Sequence, residues 1–358
     1  MIISSREVAR NRKAATVSVV IPAYNSARYI TQALDSVKAQ TFSDYEVIVV
    51  NDGSEDRAEL EAQLASHSLQ IIYISQDNKG VSAARNAAIN IASGEFYAQL
   101  DADDQWLPDY LQVQLSFLRD NPEVALVYPN ATIIGDMAGA ELEFMKISPS
   151  EGEVTFESMI REKCLVMTSV TARMSAVREA GMFDENLRSC EDFDLWLRMV
   201  KNGAHLAYHR RQLVLYRRHE RSLSSDRVWM TRHLLAVFEK CAHTLDLTTA
   251  ETEALKERIS HHRAMLGLFE GKRALSAGGA SAALVHFQKA NEELRSPKLA
   301  LVLFILRHAP LLVIWAFRAR GRLLVKSENN LSGFDNPHPG TFAESTGEIQ
   351  TSESHRQA

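Results

Sequence analysis

Apolar and polar positions along residues 16–130 fall into a repeating strand–helix rhythm. Val17–Ile21 is a largely β-branched run, the pattern of a strand buried on both faces. Tyr24-Asn25-Ser26 then opens a helix over about 28–39, with Ile30, Leu34 and Val37 on one face. A second strand, Val47–Val50, runs into the turn cluster Asn51-Asp52-Gly53-Ser54. A short polar helix, a strand at Ile71–Ile74, the loop Gln76–Gly80 and a helix over about 82–92 follow. A fourth strand, Glu95–Leu100, ends in Asp101-Ala102-Asp103-Asp104, and Pro108 suits the first turn of another helix. This order predicts an α/β fold with a mostly parallel central sheet and helices on both faces.

Beyond residue 130 the rhythm weakens. It leaves a helix at Glu191–Lys201 and a strand near Val214–Tyr216. Residues 228–293 read as helical. Gly271, Ala274, Ala283, Phe287 and Ala290, with Gly278-Gly279 at a turn, fit one tetratricopeptide-like helix pair or a generic helical hairpin. Residues 297–317 are strongly apolar but interrupted by Arg307, His308 and Pro310, borderline for a spanning helix because Arg307 would sit near its centre. Arg295, Lys298, Arg318, Arg320, Arg322 and Lys326 surround them, and no acidic residue occurs between Glu293 and Glu328. The stretch suits a helix lying on an anionic membrane surface, or one packed on the protein's own core. The expected division is an extension (1–15), an α/β domain (16–226), a helical region (227–326) and a disordered tail (327–358).

Hydrophobic residues make up 46% of the 358, enough for a sizeable core, and the net charge of −5 argues against general nucleic-acid binding. Cys164, Cys190 and Cys241 lack metal-ligand spacing and fit a reducing compartment. The N-terminal stretch lacks the apolar run of a secretory signal. A cytoplasmic location is expected, at the inner face of the plasma membrane if 297–317 meets lipid.

Ligands of a parallel α/β sheet bind at the carboxyl ends of its strands. Three polar clusters fall there: Pro22-Ala23-Tyr24-Asn25, Asn51–Ser54 and Asp101–Asp104. Three carboxylates within four residues repel one another unless a cation compensates. A hard divalent ion, Mn²⁺ or Mg²⁺, suits such oxygen ligands and would neutralise a diphosphate leaving group. Helix capping accounts for one of these aspartates but not for three. No glycine-rich dinucleotide turn follows the first strand, which argues against a dinucleotide oxidoreductase.

Together with Asn78–Asn86 and Glu191-Asp192-Phe193-Asp194-Leu195-Trp196, these segments resemble the inverting family 2 glycosyltransferases of the GT-A fold, over roughly residues 16–225. The resemblance implies a GT-A-like nucleotide-binding fold followed by the helical region. It implies transfer from a nucleoside-diphosphate sugar to a glycan or lipid-linked acceptor, with bacterial surface polysaccharide or glycolipid synthesis as the expected setting. Pro22, Tyr24, Asn25, Asp52, Asn78, Arg85 and Asp101 are implied at the nucleotide sugar, and Asp103 with His219 at the metal. Asp192, beside Glu191, is implied as the base that takes the acceptor's proton; both carboxylates would also suit a helix N-terminus. Trp196, one turn further on, either stacks on the acceptor or belongs to the core. Asp104 is expected only to cap a helix, and Arg217 or Arg218 to steady the diphosphate. The rival reading is a catalytically inactive nucleotide-sugar-binding or scaffold protein.

Overall fold

A computed structural model describes residues 2–4, 14–135, 142–219 and 225–317. The expected tail at 327–358 and most of the extension at 1–15 lie outside the described residues.

The first half follows the expected rhythm. Strands β1 (Ile2–Ser4), β2 (Val17–Ala23), β3 (Tyr45–Asp52), β4 (Ile71–Gln76) and β5 (Phe96–Gln99) pair in parallel in the order β1-β4-β3-β2-β5. Helices α1 (Ala27–Lys38), α2 (Arg57–Ser66) and α3 (Val81–Ile91) link β2, β3, β4 and β5 in turn. Val17, Val19, Val20 and Ile21 are all fully buried, as a strand covered on both faces requires. α3 is Ala-rich, with Ala84, Ala88 and Ile89 in the core, so its backbone approaches the sheet closely.

The irregular second part completes the same sheet. β6 (Gln105–Trp106), α4 (Tyr110–Asp120), β7 (Val124–Ile134), β8 (Leu142–Glu143), short helices α5 (Phe144–Ile147) and α6 (Phe156–Ile160), β9 (Thr171–Arg173) and α7 (Met174–Glu179) come next. Helix α8 (Glu191–Lys201) and strand β10 (His205–Arg217) follow. β9 runs antiparallel between β5 and β7, and the sheet continues β7-β10-β6. Two expectations change. Val124–Ile134 is a long buried strand, and the strand near Val214–Tyr216 is the end of a 13-residue one.

The helical region consists of α9 (Arg227–Thr244), α10 (Thr249–Ser276), α11 (Ala280–Leu294), α12 (Pro297–His308) and a further helical segment at 310–317. The boundary expected after 226 is not a boundary of packing. Val237, Phe238 and Cys241 of α9 and Ala254 and Leu255 of α10 belong to the same core as the sheet. Lys240 of α9 adds ion pairs of 2.7 Å to Asp184 and to the buried Asp194. A separate, smaller core at the far end gathers Leu275, Ala283, Phe287 and Leu306.

The hairpin read from small residues is present. A Cβ on Gly271 would lie 2.4 Å from the Phe287 ring, so the glycine makes room for that ring between α10 and α11. Gly→Ala inside a helix ordinarily stabilises by about 1 kcal/mol. Here Gly271→Ala is expected to destabilise by about 1–3 kcal/mol instead, since the ring must leave its place. Thermal denaturation of the two proteins measures the sign.

Candidate active site

The carboxyl ends of β2, β3 and β5 meet on one side of the sheet, and each cluster there is built by a distinct local device. After β2, Tyr24 is 51% exposed, an aromatic face left open to a ligand, while Pro22 is half-buried. Asn25 adopts a left-handed conformation (φ 50°), and its Oδ1 accepts from the Glu55 amide at 2.7 Å. Asn25 thus ties the β2 turn to the β3 turn.

Asp52, at the end of β3, is 3% exposed and already engaged. Its Oδ1 accepts from Gln76 Nε2 (2.7 Å) and the Lys79 amide (2.9 Å), and its Oδ2 from the Gly80 amide (2.8 Å). The carboxylate therefore shapes the loop that carries the exposed Asn78. At Gly53 (φ +71°) a Cβ would come 2.5 Å from the Asn78 amide nitrogen, so only glycine lets this loop lie against the β3 turn.

The acidic turn after β5 divides three roles. Asp101 accepts from Arg85 Nη2 at 2.9 Å. Asp103 Oδ2 lies 3.1 Å from His219 Nε2. Asp104 is buried and accepts the Arg217 amide at 2.8 Å, which latches the turn to the end of β10; α4 has Asp109 at its N-cap. This corrects the expectation that Asp104 only caps a helix. Burial, then the repulsion of Asp101, pushes the Asp103 carboxyl up; burial, then Asp103 and Asp101, pushes Asp104 well up. Both gain from any cation placed between them.

His219 is positioned from the opposite side by α1. Its ring stacks on Tyr29 (centroids 5.3 Å apart), which also lies under the Arg217 guanidinium. Arg217 donates to the Asp103 carbonyl (2.9 Å) and to Gln32 (2.7 Å). Arg217 thereby holds the turn. Tyr29 and Gln32 escape sequence reading because they sit on an ordinary amphipathic helix.

Arg85 is the central finding. It is 3% exposed and joins the two acidic segments, bonding Asp101 with one nitrogen and Glu191 with the other. Burial opposes its charge, but Asp101 and Glu191 outweigh that and raise its pKa further. Its guanidinium also lies 5.3 Å from the Phe183 ring centroid. The next residue, Asn86, clasps the Phe183 backbone, donating to its carbonyl (2.8 Å) and accepting from its amide (3.0 Å). The Arg-Asn pair of α3 thereby docks the loop that leads into α8. An Arg-Asn pair inside an Ala-rich helix was the available signal.

At the head of α8, Cys190 turns left-handed (φ 59°) and three carboxylates part ways. Glu191 is 6% exposed and paired with Arg85. Asp194 pairs with Arg198 (2.8 Å) and Lys240. Among the described residues Asp192 alone of the three is half-buried with no cation bonded to it; it accepts from the Phe193 amide at 2.7 Å. Burial in its recess, with the Glu191 charge adding, pushes its carboxyl up to about 7, against the opposing pull of Arg85. A carboxylate near neutrality suits a general base. Trp196 is not available to an acceptor: its ring is fully buried, edge-on to Phe183 at 6.2 Å.

Among the described residues no three His, Cys, Asp or Glu side chains converge as a self-sufficient metal site. Asp103 and His219, 3.1 Å apart, could together supply two ligands. That suits a divalent ion whose remaining positions are filled by phosphate and water.

The model of the family described as "Glycosyl transferase family 2" matches residues 18–176. An uncharacterized glycosyltransferase of Rickettsia typhi is 33% identical over 202 residues, covering 54% of this chain and 61% of that protein. The chondroitin synthase of Escherichia coli is 31% identical over 199 residues, covering 55% of this chain and 28% of that one. The chain thus spans less than two thirds of the length of either. Among solved structures, Staphylococcus aureus TarS (residues 1–349) in complex with UDP-GlcNAc superposes with a TM-score of 0.57 at 20% identity, covering 86% of this chain and 92% of that one. That likeness concerns the fold, which is GT-A-like. The family match spans β2 through β9, including Asp52, Arg85 and Asp101–Asp104, so over these residues the chain is similar to glycosyl transferase family 2.

Proposed function

We propose that the protein transfers a sugar from a nucleoside-diphosphate sugar to a hydroxyl acceptor with inversion, in polysaccharide or glycolipid synthesis. The observation that carries this reading is Arg85, whose two ion pairs hold the Asp101 turn and the Asp192 helix in one site. Relatives that include a chondroitin synthase support the polysaccharide setting. The complex of TarS with UDP-GlcNAc supports a nucleotide-sugar donor.

In this mechanism Tyr24 stacks on the base and Pro22 shapes the pocket wall. Asn25, Asp52 and Asn78 frame the nucleoside side, and Asp101, held by Arg85, receives the ribose. Asp103 and His219 would hold Mn²⁺ or Mg²⁺. Such an ion, when bound, neutralises charge on the departing diphosphate. Asp192 accepts the acceptor hydroxyl's proton as that oxygen attacks the anomeric carbon and the bond to the diphosphate breaks. One displacement inverts the anomeric centre, and no enzyme nucleophile is needed.

The test is calorimetric titration of a panel of nucleotide sugars into the protein with and without Mn²⁺. One donor is expected to bind, at least tenfold more tightly with the ion, and Asp103→Ala is expected to erase that difference. A folded protein that binds none of the panel would contradict the reading.

A further inference from the structure

α12 and the helical segment 310–317 are two-faced. Leu299, Leu303, Leu306, Val313, Ile314 and Phe317 pack toward α10 and α11. The opposite side carries Leu301 (60% exposed), Phe304 (61%), Leu311 (80%), Leu312 (59%) and Trp315 (67%). These five are the largest run of exposed hydrophobic side chains among the described residues, and they fall within 15 positions of one another. No helix among those residues is long and apolar enough to cross a membrane.

We propose that this face docks on an anionic lipid bilayer, with the five apolar side chains entering the interface and the neighbouring cations meeting the headgroups. Charge selects this occupant. Arg295, Lys298 and Arg307 are exposed on the same segment, and the sequence continues with Arg318, Arg320, Arg322 and Lys326. No acid stands between Glu293 and Glu328 to offset them. A second copy presenting the same face would set cation against cation. The chain's own residues 327–358 offer only Leu331, Phe334, Phe342 and Ile349 as large apolar cover, scattered among polar residues. Leu, Phe and Trp beside Lys and Arg are the composition of interfacial helices, in which apolar burial and headgroup attraction add. The inner face packs these helices on α10 and α11, so the docking surface is part of the folded helical region.

This inference is independent of the transfer reaction and needs no donor to test. The full-length protein is sedimented with phosphatidylcholine vesicles and with phosphatidylcholine–phosphatidylglycerol vesicles, at low and high salt. Binding is expected at least tenfold tighter to the anionic vesicles and weaker in high salt. Trp315 emission is expected to shift to the blue on binding, a change absent from Trp315→Ser. Phe304→Ser with Trp315→Ser is expected to weaken binding at least tenfold. Lys298→Glu with Arg307→Glu is expected to weaken it by about fivefold or more for each charge removed. All four positions are exposed, so circular dichroism is expected to show the variants folded. A folded wild-type protein that ignores anionic vesicles at low salt would overturn the proposal. So would a concentration-dependent dimer dispersed by the Phe304→Ser/Trp315→Ser change, which would give the face to a second copy.

Discussion

Asp192→Asn is expected to lower transfer by about 10²–10⁴-fold while making the protein more stable at pH 8. The two effects share one cause. Burial and the Glu191 charge hold the Asp192 carboxyl up at about 7, so the folded chain binds this proton more tightly than the unfolded chain does. The sign follows from linkage. Stability from that proton is fully present below the ordinary aspartate value of about 4 and is lost as pH rises from there through about 7. Taken in full, a shift of this size corresponds to about 4 kcal/mol; solvent access to the half-buried side chain reduces the expected figure to about 2 kcal/mol. Asparagine cannot ionise, so the variant escapes the loss. Its melting temperature is expected to exceed the wild type by a few degrees at pH 8 and to match it only below about pH 4, where the carboxyl is protonated in both states. Thermal melts at the two pH values, beside a transfer assay, check this. A variant destabilised equally at both would mean that Asp192 is an ordinary helix-end carboxylate.

Arg85→Ala carries the other large expectation. It leaves Asp101 and Glu191 without the cation that joins them, in a site where the guanidinium is 3% exposed. Removing one partner of a buried charged network costs about 3–5 kcal/mol, because the remaining charges stay buried and uncompensated. Arg85→Lys restores one charge but not two separate bonds, and is expected to fall between. Donor affinity should fall with Arg85→Ala even at temperatures where the protein stays folded, because Asp101 loses its anchor. Urea denaturation and donor titration of the three proteins together separate loss of fold from loss of site. An alanine variant within about 1 kcal/mol of wild type would show that the two acidic segments do not depend on Arg85.

The sheet's first half was legible because its signals are local. Val17–Ile21 and Val47–Val50 are continuous apolar runs closed by turn residues, and both are strands. β9 was not legible: Thr171–Arg173 is three residues long, and its place comes from β5 and β7 on either side. Likewise the acidic residues were easy to find and hard to sort. Asp101, Asp103 and Asp104 look alike in sequence, yet their partners are Arg85, His219 and the Arg217 backbone, the last two contributed by the far end of β10. Glu191 and Asp192 are adjacent, and only the distant Arg85 tells them apart. Trp196 matched the acceptor position by helical spacing, but that face of α8 turns into the core.

The most direct test follows nucleoside diphosphate release from the donor that binds, across pH 5–9, in wild type and Asp192→Asn. The account predicts metal-dependent release that rises through an apparent pKa near 7 to a plateau, since the base must be deprotonated. It also predicts an Asp192→Asn protein that binds the donor normally and releases almost nothing. Release by Asp192→Asn at the wild-type rate, or a wild-type profile flat across that range, would contradict it.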